Sequence, residues 1–353
     1  MPVAAAPVDE VLDALFMPLT EGILRLPADA RVLFLRARDS FRLREVARPG
    51  WRLEQSFKPF ADALERSRFH VDAWVEGELF DLVLVLPPRQ RDEAHVLFAR
   101  AVSLAAPGGM VLACVPNAEG ARSAQSDLAA LAGQGGHLSK HKCRVFWTGP
   151  LHGAHDHALH ADWLAFDAPR RNAAGYWSRP GLFAWDRVDA ASALLAAHLP
   201  HDLAGDVADL GAGYGYLGSE VIARCPGVTA LDGFEAEQRA LACAGENLAE
   251  AQARAGRDVA VALHWHDVTT GLPGRYHAIV SNPPFHQGRA DQPELGRAFI
   301  AAAAAALTPG GQLWLVANRH LPYEATLAAR FDEVHPVADE GGFKVISARG
   351  AHA

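Results

Sequence analysis

Through the second half of the chain, short apolar runs that stop at Gly, Asp or Pro alternate with alanine-rich stretches of helical length. Val207–Gly213 (VADLGAG), Val228–Glu235, Val259–Val268, His277–Asn282 and Gln312–Asn318 read as buried strands. Leu217–Cys225, Arg239–Glu250 and Gly296–Leu307 read as the helices between them. Such alternation predicts a mostly parallel, doubly wound sheet, because each parallel connection needs a crossover. Phe331–Val337, a DEGG turn and Phe343–Ala348 then read as an antiparallel hairpin on the sheet edge.

The first half repeats this grammar. FDLVLVLPP (Phe80–Pro88) lines up with YHAIVSNPP (Tyr276–Pro284), and each is followed by a helical stretch, a PGG turn and another strand, Ala106–Val115 in one copy and Thr308–Ala317 in the other. The shared order implies an internal duplication. Two tandem α/β domains are expected, 1–165 and 166–353, each a Rossmann-like sheet. The copies differ where a ligand would sit. The second has Leu210-Gly-Ala-Gly213 and Asn282; the first has Leu35-Arg-Ala-Arg38 and Leu86. Glycines let backbone approach a ligand and arginines fill that space, so the N-terminal copy reads as degenerate and left with packing or substrate recognition.

Composition narrows the class. The chain has 353 residues, half of them hydrophobic, and no apolar run long enough to cross a membrane. Its N-terminus lacks the basic start of a secretory signal, so a cytoplasmic protein is expected. Cys114, Cys143, Cys225 and Cys243 form no CxxC pair. The one dense histidine cluster, His152–His160, has no HExxH pattern and reads as a solvated loop, so no metal is expected. A net charge of −8 does not advertise nucleic acid. Local runs do: nine Lys/Arg against four Asp/Glu between Arg25 and Lys58, and the group Lys140, Lys142 and Arg144.

The candidate site follows the strand ends. Asp209-Leu-Gly-Ala-Gly-Tyr-Gly215 leaves a strand and enters a helix, so Gly211, Gly213 and Gly215 can wrap a ligand against the helix N-terminus. A carboxylate for ribose hydroxyls should close the next strand; Glu235, directly before the following helix, is preferred to Asp232. Asp267, after the third strand, is placed for an adenine amine or for a turn cap. Ser281-Asn-Pro-Pro-Phe285 is the most specific segment. Pro283 and Pro284 make it rigid and extended, so the Asn282 oxygen and a proline carbonyl can accept from an exocyclic NH2 and aim its lone pair at a methyl sulfonium. Phe285 offers a stacking face for a base.

Together DLGAGYG, the acidic second-strand end, the third-strand Asp and NPPF resemble the class I S-adenosylmethionine (SAM)-dependent methyltransferases of amino and amide nitrogens. SKHKCRVFWTG, RPGLFAWDRVDAASALL, SNPPFHQG, ANRHLPY and GGFKVISA extend the resemblance to the RsmC-type rRNA guanine-N2 methyltransferases over nearly the whole chain. That resemblance implies a degenerate N-terminal and an active C-terminal methyltransferase domain. It also implies SAM as cofactor, and as substrate a guanine of ribosomal RNA, most typically in the small subunit. The glycines would line the methionine end, Glu235 or Asp232 the ribose and Asp267 the adenine, with Asp209 in the same cofactor segment. Asn282–Phe285 would hold the guanine, with Phe183 and Asp186 in a closing element. Arg36, Arg38, Lys140 and Lys142 would meet RNA, and a monomer is expected. The sequence LDGFE departs from the simpler second-strand end of the family. Large-subunit rRNA, a protein glutamine amide and a non-catalytic assembly role are the rival readings.

Overall fold

The computed structural model describes residues 9–352 apart from 154, 285, 288–289 and 292. The chain divides into two compact units between Ala168 and Pro169. In the first, strands β1 (Val32–Leu35), β2 (Trp51–Glu54), β3 (Val71–Asp72), β4 (Phe80–Val85), β5 (Ala105–Pro116), β6 (Gly136–Lys140) and β7 (Cys143–Trp147) lie in the order 3-2-1-4-5-7-6. In the second, β8 (Ala204–Leu210), β9 (Gly227–Glu235), β10 (Ala260–Trp265), β11 (Tyr276–Ser281), β12 (Leu307–Asn318), β13 (Phe331–Glu340) and β14 (Phe343–Ala351) lie in the order 10-9-8-11-12-14-13. The order is the same with every strand advanced by seven. In both sheets the first five strands pair in parallel and the last two form the antiparallel hairpin, so the repeat seen in the sequence is a repeat of topology.

Central strands are apolar on both faces because helices cover both. In β1, Leu33 and Leu35 join one buried cluster, Val32 and Phe34 the other. In β11, Ile279 faces one cluster and Ala278 and Val280 the opposite one. This gives near-continuous apolar runs rather than alternation. The boundaries shift where the chain leaves these layers. The predicted strand Val207–Gly213 stops at Leu210, because the glycines form the loop after it. The predicted helix Arg239–Glu250 runs over Gln238–Ala255 and ends where Gly256 turns left-handed at φ +61°. The hairpin β6–β7 was not legible; its two-residue turn puts His141 and Lys142 at φ +51° and +55°, a conformation in which glycine or asparagine is usual. The histidine cluster is a loop at His152 and His155 that runs into a helix carrying His157 and His160. Asp156 accepts from the Leu159 N–H and opens a helix over His157–Ala165. Among the described residues no three His, Cys, Asp or Glu side chains are grouped so as to hold a metal. No described helix is long and apolar enough to cross a membrane.

The basic run Arg25–Lys58 is largely paired within its own unit. Arg42 meets Asp13 and Glu45, Arg44 meets Asp39, Arg52 meets Asp72 and Glu78, and Lys58 meets Asp62. The surplus of cations in the sequence is therefore not a surplus on the surface. One pair is in the core. Arg100 donates to both oxygens of Glu54 at 2.7 and 2.8 Å and to the Val75 carbonyl at 3.0 Å, while the Val75 N–H donates to Glu54 at 2.7 Å. The Trp74 ring covers the guanidinium at 3.4 Å. With both partners buried, removing one charge strands the other. Glu54→Gln is expected to destabilise the N-terminal unit by about 3 kcal/mol in denaturant unfolding. A loss below about 1 kcal/mol would show the pair to behave as a surface one.

Candidate functional site

The strands β8 and β11 end side by side, Leu210 opposite Ser281, and β9 flanks β8 with Leu210 opposite Phe234. The chain leaves β8 and β11 in opposite directions, so a crevice opens at their carboxyl ends, the switch point of a doubly wound sheet. Three segments fill it: the loop after β8, the end of β9 and the double proline after β11.

In the loop, Gly211, Gly213 and Gly215 all have positive φ, at +75°, +54° and +86°. A Cβ on Gly213 would meet no atom of the described residues within 4 Å, whereas one on Gly215 would press against the Ala244 backbone at 3.1 Å. Gly213 thus borders the crevice, while Gly215 lets the helix Tyr216–Arg224 pack against Gln238–Ala255. Asp209 lies beneath the loop, 1 % exposed, with Oδ2 accepting from the Gly218 N–H at 3.0 Å and Oδ1 without a partner among the described residues. Burial pushes its carboxyl up to about 7, against the Gly218 N–H, which favours the charge, and with help from the nearby Glu235.

The two acidic candidates on β9 separate by position. Glu235 is the last residue of the strand; its Oε2 accepts from the Gly213 N–H at 2.7 Å and its Oε1 from the Glu237 N–H at 2.8 Å. Burial raises its carboxyl above the usual range, and the backbone donors oppose that shift. Asp232 stands three residues earlier, where Oδ2 accepts from the Tyr276 hydroxyl at 2.7 Å, so it is not at the strand end. Asp267 caps the short helix Val268–Thr270, its Oδ1 accepting from the Thr269 N–H at 2.9 Å.

The double proline is tied down before it begins. Ser281, 1 % exposed, donates its hydroxyl to the Leu210 carbonyl at 2.8 Å, locking the ends of β8 and β11 together. Asn282 follows, with Nδ2 donating to Asp189 Oδ2 at 3.0 Å and to Ser192 Oγ at 2.8 Å. Its Oδ1 is buried and has no hydrogen-bond partner among the described residues. Pro283 is buried and Pro284 exposed; Phe285 lies outside the described residues. Asp189, Ser192, Gly211, Gly213 and Asn282 line one crevice, with Phe183 at its rim, 64 % exposed. Asp186, in the same segment, is exposed and pairs with Arg187. Sequence reasoning missed Asp189 and Ser192. They cap and open the helix Ala190–His198, and an Asp three residues before a Ser in an alanine-rich run is a legible cap, but nothing local connects it to Asn282.

The N-terminal unit shows the same frame without the site. Leu35 stands opposite Val85 and Glu54, so Arg36, Leu86 and Gln55 occupy the places of Gly211, Asn282 and Glu235. Leu86 is packed into the core. Gln55, 2 % exposed, accepts from the Phe57 N–H as Glu235 does from Glu237, but its amide donates to the Ala37 carbonyl and closes the loop on itself. Arg36 pairs with Glu93 at 3.6 Å and Arg38 with Asp9 at 3.1 Å. Lys140 and Lys142 are exposed at the β6–β7 turn.

The raised Asp209 carboxyl has a consequence for stability. Between its ordinary value of 3.8 and about 7 the folded state holds a proton that the unfolded chain releases, so the wild type loses stability as pH rises through that window. Asp209→Asn, which cannot ionise, is expected to gain stability relative to wild type from pH 4 to 7 in parallel urea titrations; a difference flat in pH would refute it.

Residues 174–347 match the Methyltransferase small domain family. Ribosomal RNA small subunit methyltransferase C of Shewanella amazonensis is 30 % identical over 287 residues, covering 77 % of this chain and 78 % of that protein. The protein of the same name from Mannheimia succiniciproducens is 30 % identical over 272 residues, covering 76 % and 79 %. The fold is shared with the T. thermophilus 16S rRNA N2 G1207 methyltransferase (RsmC), solved in complex with AdoMet and guanosine, at a TM-score of 0.78 and 24 % identity over 98 % of this chain and 92 % of that one. With the duplicated sheets and the crevice at their second switch point, this chain belongs to the ribosomal RNA small subunit methyltransferase C family.

Proposed function

We propose that this protein transfers a methyl group from SAM to the exocyclic N2 amine of a guanine in 16S rRNA. The observation that carries the reading is the Asn282 Oδ1, a buried acceptor with no partner among the described residues, on a side chain that lines a crevice with Gly211 and Gly213. A buried acceptor left unmade costs free energy unless a ligand completes it. An amine N–H is the complement such an atom requires.

The residues present fit SAM. Gly213 leaves open space, and Gly211 and Gly215 shape the loop for the methionine end. Glu235, at the strand end and anchored by the Gly213 N–H, is the ribose acceptor in preference to Asp232. Asp267 keeps Oδ2 for the adenine amine while Oδ1 caps its turn. Asp209 supports the loop from beneath. SAM supplies an electrophilic methyl on a sulfonium, so the protein needs chiefly to position the nucleophile. Asn282 Oδ1 and the Pro283 carbonyl accept from the amine and hold its lone pair toward that methyl, with the rigid double proline keeping both acceptors in place. Phe285 and Phe183 are assigned to stacking on the unpaired base.

The N-terminal unit is assigned to RNA recognition, with Lys140 and Lys142 as its phosphate contacts. Arg36 and Arg38 have carboxylate partners in that unit and are weaker candidates. The reaction belongs in the cytoplasm, on RNA or on the small subunit.

Labelled methyl from SAM is expected to enter small subunits purified from a strain lacking the protein and to appear as N2-methylguanine in 16S rRNA. Label in 23S rRNA or in protein instead would overturn the assignment. Asn282→Ala is expected to abolish turnover while SAM affinity stays near wild type, since the amide contributes to the transition state rather than to cofactor binding; full activity would remove the core of the reading. Gly213→Arg, which places the residue of the N-terminal copy in the open space, is expected to abolish SAM binding in calorimetry.

A further inference from the structure

An asparagine amide carries an acceptor and a donor on one planar group, and half a turn about its last torsion exchanges them. The chemistry above uses only the oxygen. With the NH2 presented instead, donor would face donor and the substrate amine would be repelled. Something must therefore decide which way Asn282 faces, and neither the strand nor the prolines can, because both fix only the backbone.

Asp189 and Ser192, which line the same crevice, reach the amide through its nitrogen. The carboxylate of Asp189, when ionised, can only accept, and its Oδ2 lies 3.0 Å from Asn282 Nδ2. Ser192 Oγ, 2.8 Å from the same nitrogen, takes the other proton. Both Nδ2 hydrogens are thereby held, and the flipped amide would set Oδ1 against a carboxylate oxygen. Asp189 is itself held, accepting from the Ser192 N–H at 2.9 Å as the cap of the helix Ala190–His198. We propose that Asp189 and Ser192 are a positioning pair that locks the Asn282 amide with its oxygen toward the substrate amine. The inference rests on the reading of Asn282 as the acceptor for that amine.

Asp189 Oδ2 serves both the cap and the amide. In Asp189→Thr the hydroxyl can still cap the helix, but it is uncharged, one bond shorter and able to donate as well as accept, so it no longer dictates which way the amide faces. Methyl transfer to small subunits from a strain lacking the protein is measured together with SAM binding and thermal unfolding. The expected result for Asp189→Thr is a drop in kcat of about ten- to a hundredfold, the loss of one charge-assisted hydrogen bond to the amide that positions the substrate amine. SAM affinity and the melting temperature should stay near wild type. Asp189→Asn keeps an oxygen at the reach of Oδ2, where the Ser192 N–H can hold it toward Asn282 Nδ2, and should restore most of the turnover lost in Asp189→Thr.

Wild-type kcat in Asp189→Thr, with Asn282→Ala inactive, would overturn the orienting role alone. Equal losses in both Asp189 variants, accompanied by weaker SAM binding and a lower melting temperature, would also overturn it by showing that the pair acts on the helix. Activity in Asn282→Ala would instead overturn the reading of the site, and the orienting role with it.

Discussion

Leu210 and Ser281 are adjacent residues of neighbouring parallel strands, and the Ser281 hydroxyl bonds the Leu210 carbonyl. Every feature of the crevice is measured from that junction. The glycine loop starts one residue after Leu210, the Asn282 amide one residue after Ser281, and β9 brings Glu235 up on the other side of β8. A parallel sheet fixes these distances through its register, and a slip on any of the three strands would turn the side chains to the opposite face. The prolines then keep the chain from continuing the sheet, because they cannot donate to a neighbour.

The N-terminal copy shows how little of this depends on a ligand. Its register Leu35–Val85 reproduces the junction without the hydroxyl, and the sheet around it is complete. What has changed is whether polar groups are left open or closed. Gln55 answers its own loop, Leu86 is apolar and the arginines meet Asp9 and Glu93. In the C-terminal copy, no described protein group bonds Asn282 Oδ1 or stands within 4 Å of a Cβ at Gly213. A fold tolerates both solutions because its stability comes from the two buried faces of the sheet and not from the loops at its end.

The sequence by itself determined the repeat, the α/β class, the strands that carry the site, and the glycine and SNPPF segments, since each is a local pattern of apolar runs and punctuating residues. It also showed that the N-terminal copy had lost glycine and amide. Tertiary structure decided the rest, because the remaining questions concern pairs far apart in the chain. The sequence prefers Glu235 to Asp232 only from its place before a helix; the sheet adds that Glu235 ends the strand beside the Gly213 N–H while Asp232 meets the Tyr276 hydroxyl. The cations of Arg25–Lys58 looked like a patch until their carboxylates, some from other elements, were brought to them. Asp189 reaches Asn282 across 93 residues of sequence. A cap signal and a proline signal are each readable alone. That the first orients the second is a matter of three ångströms in space, which no periodicity records.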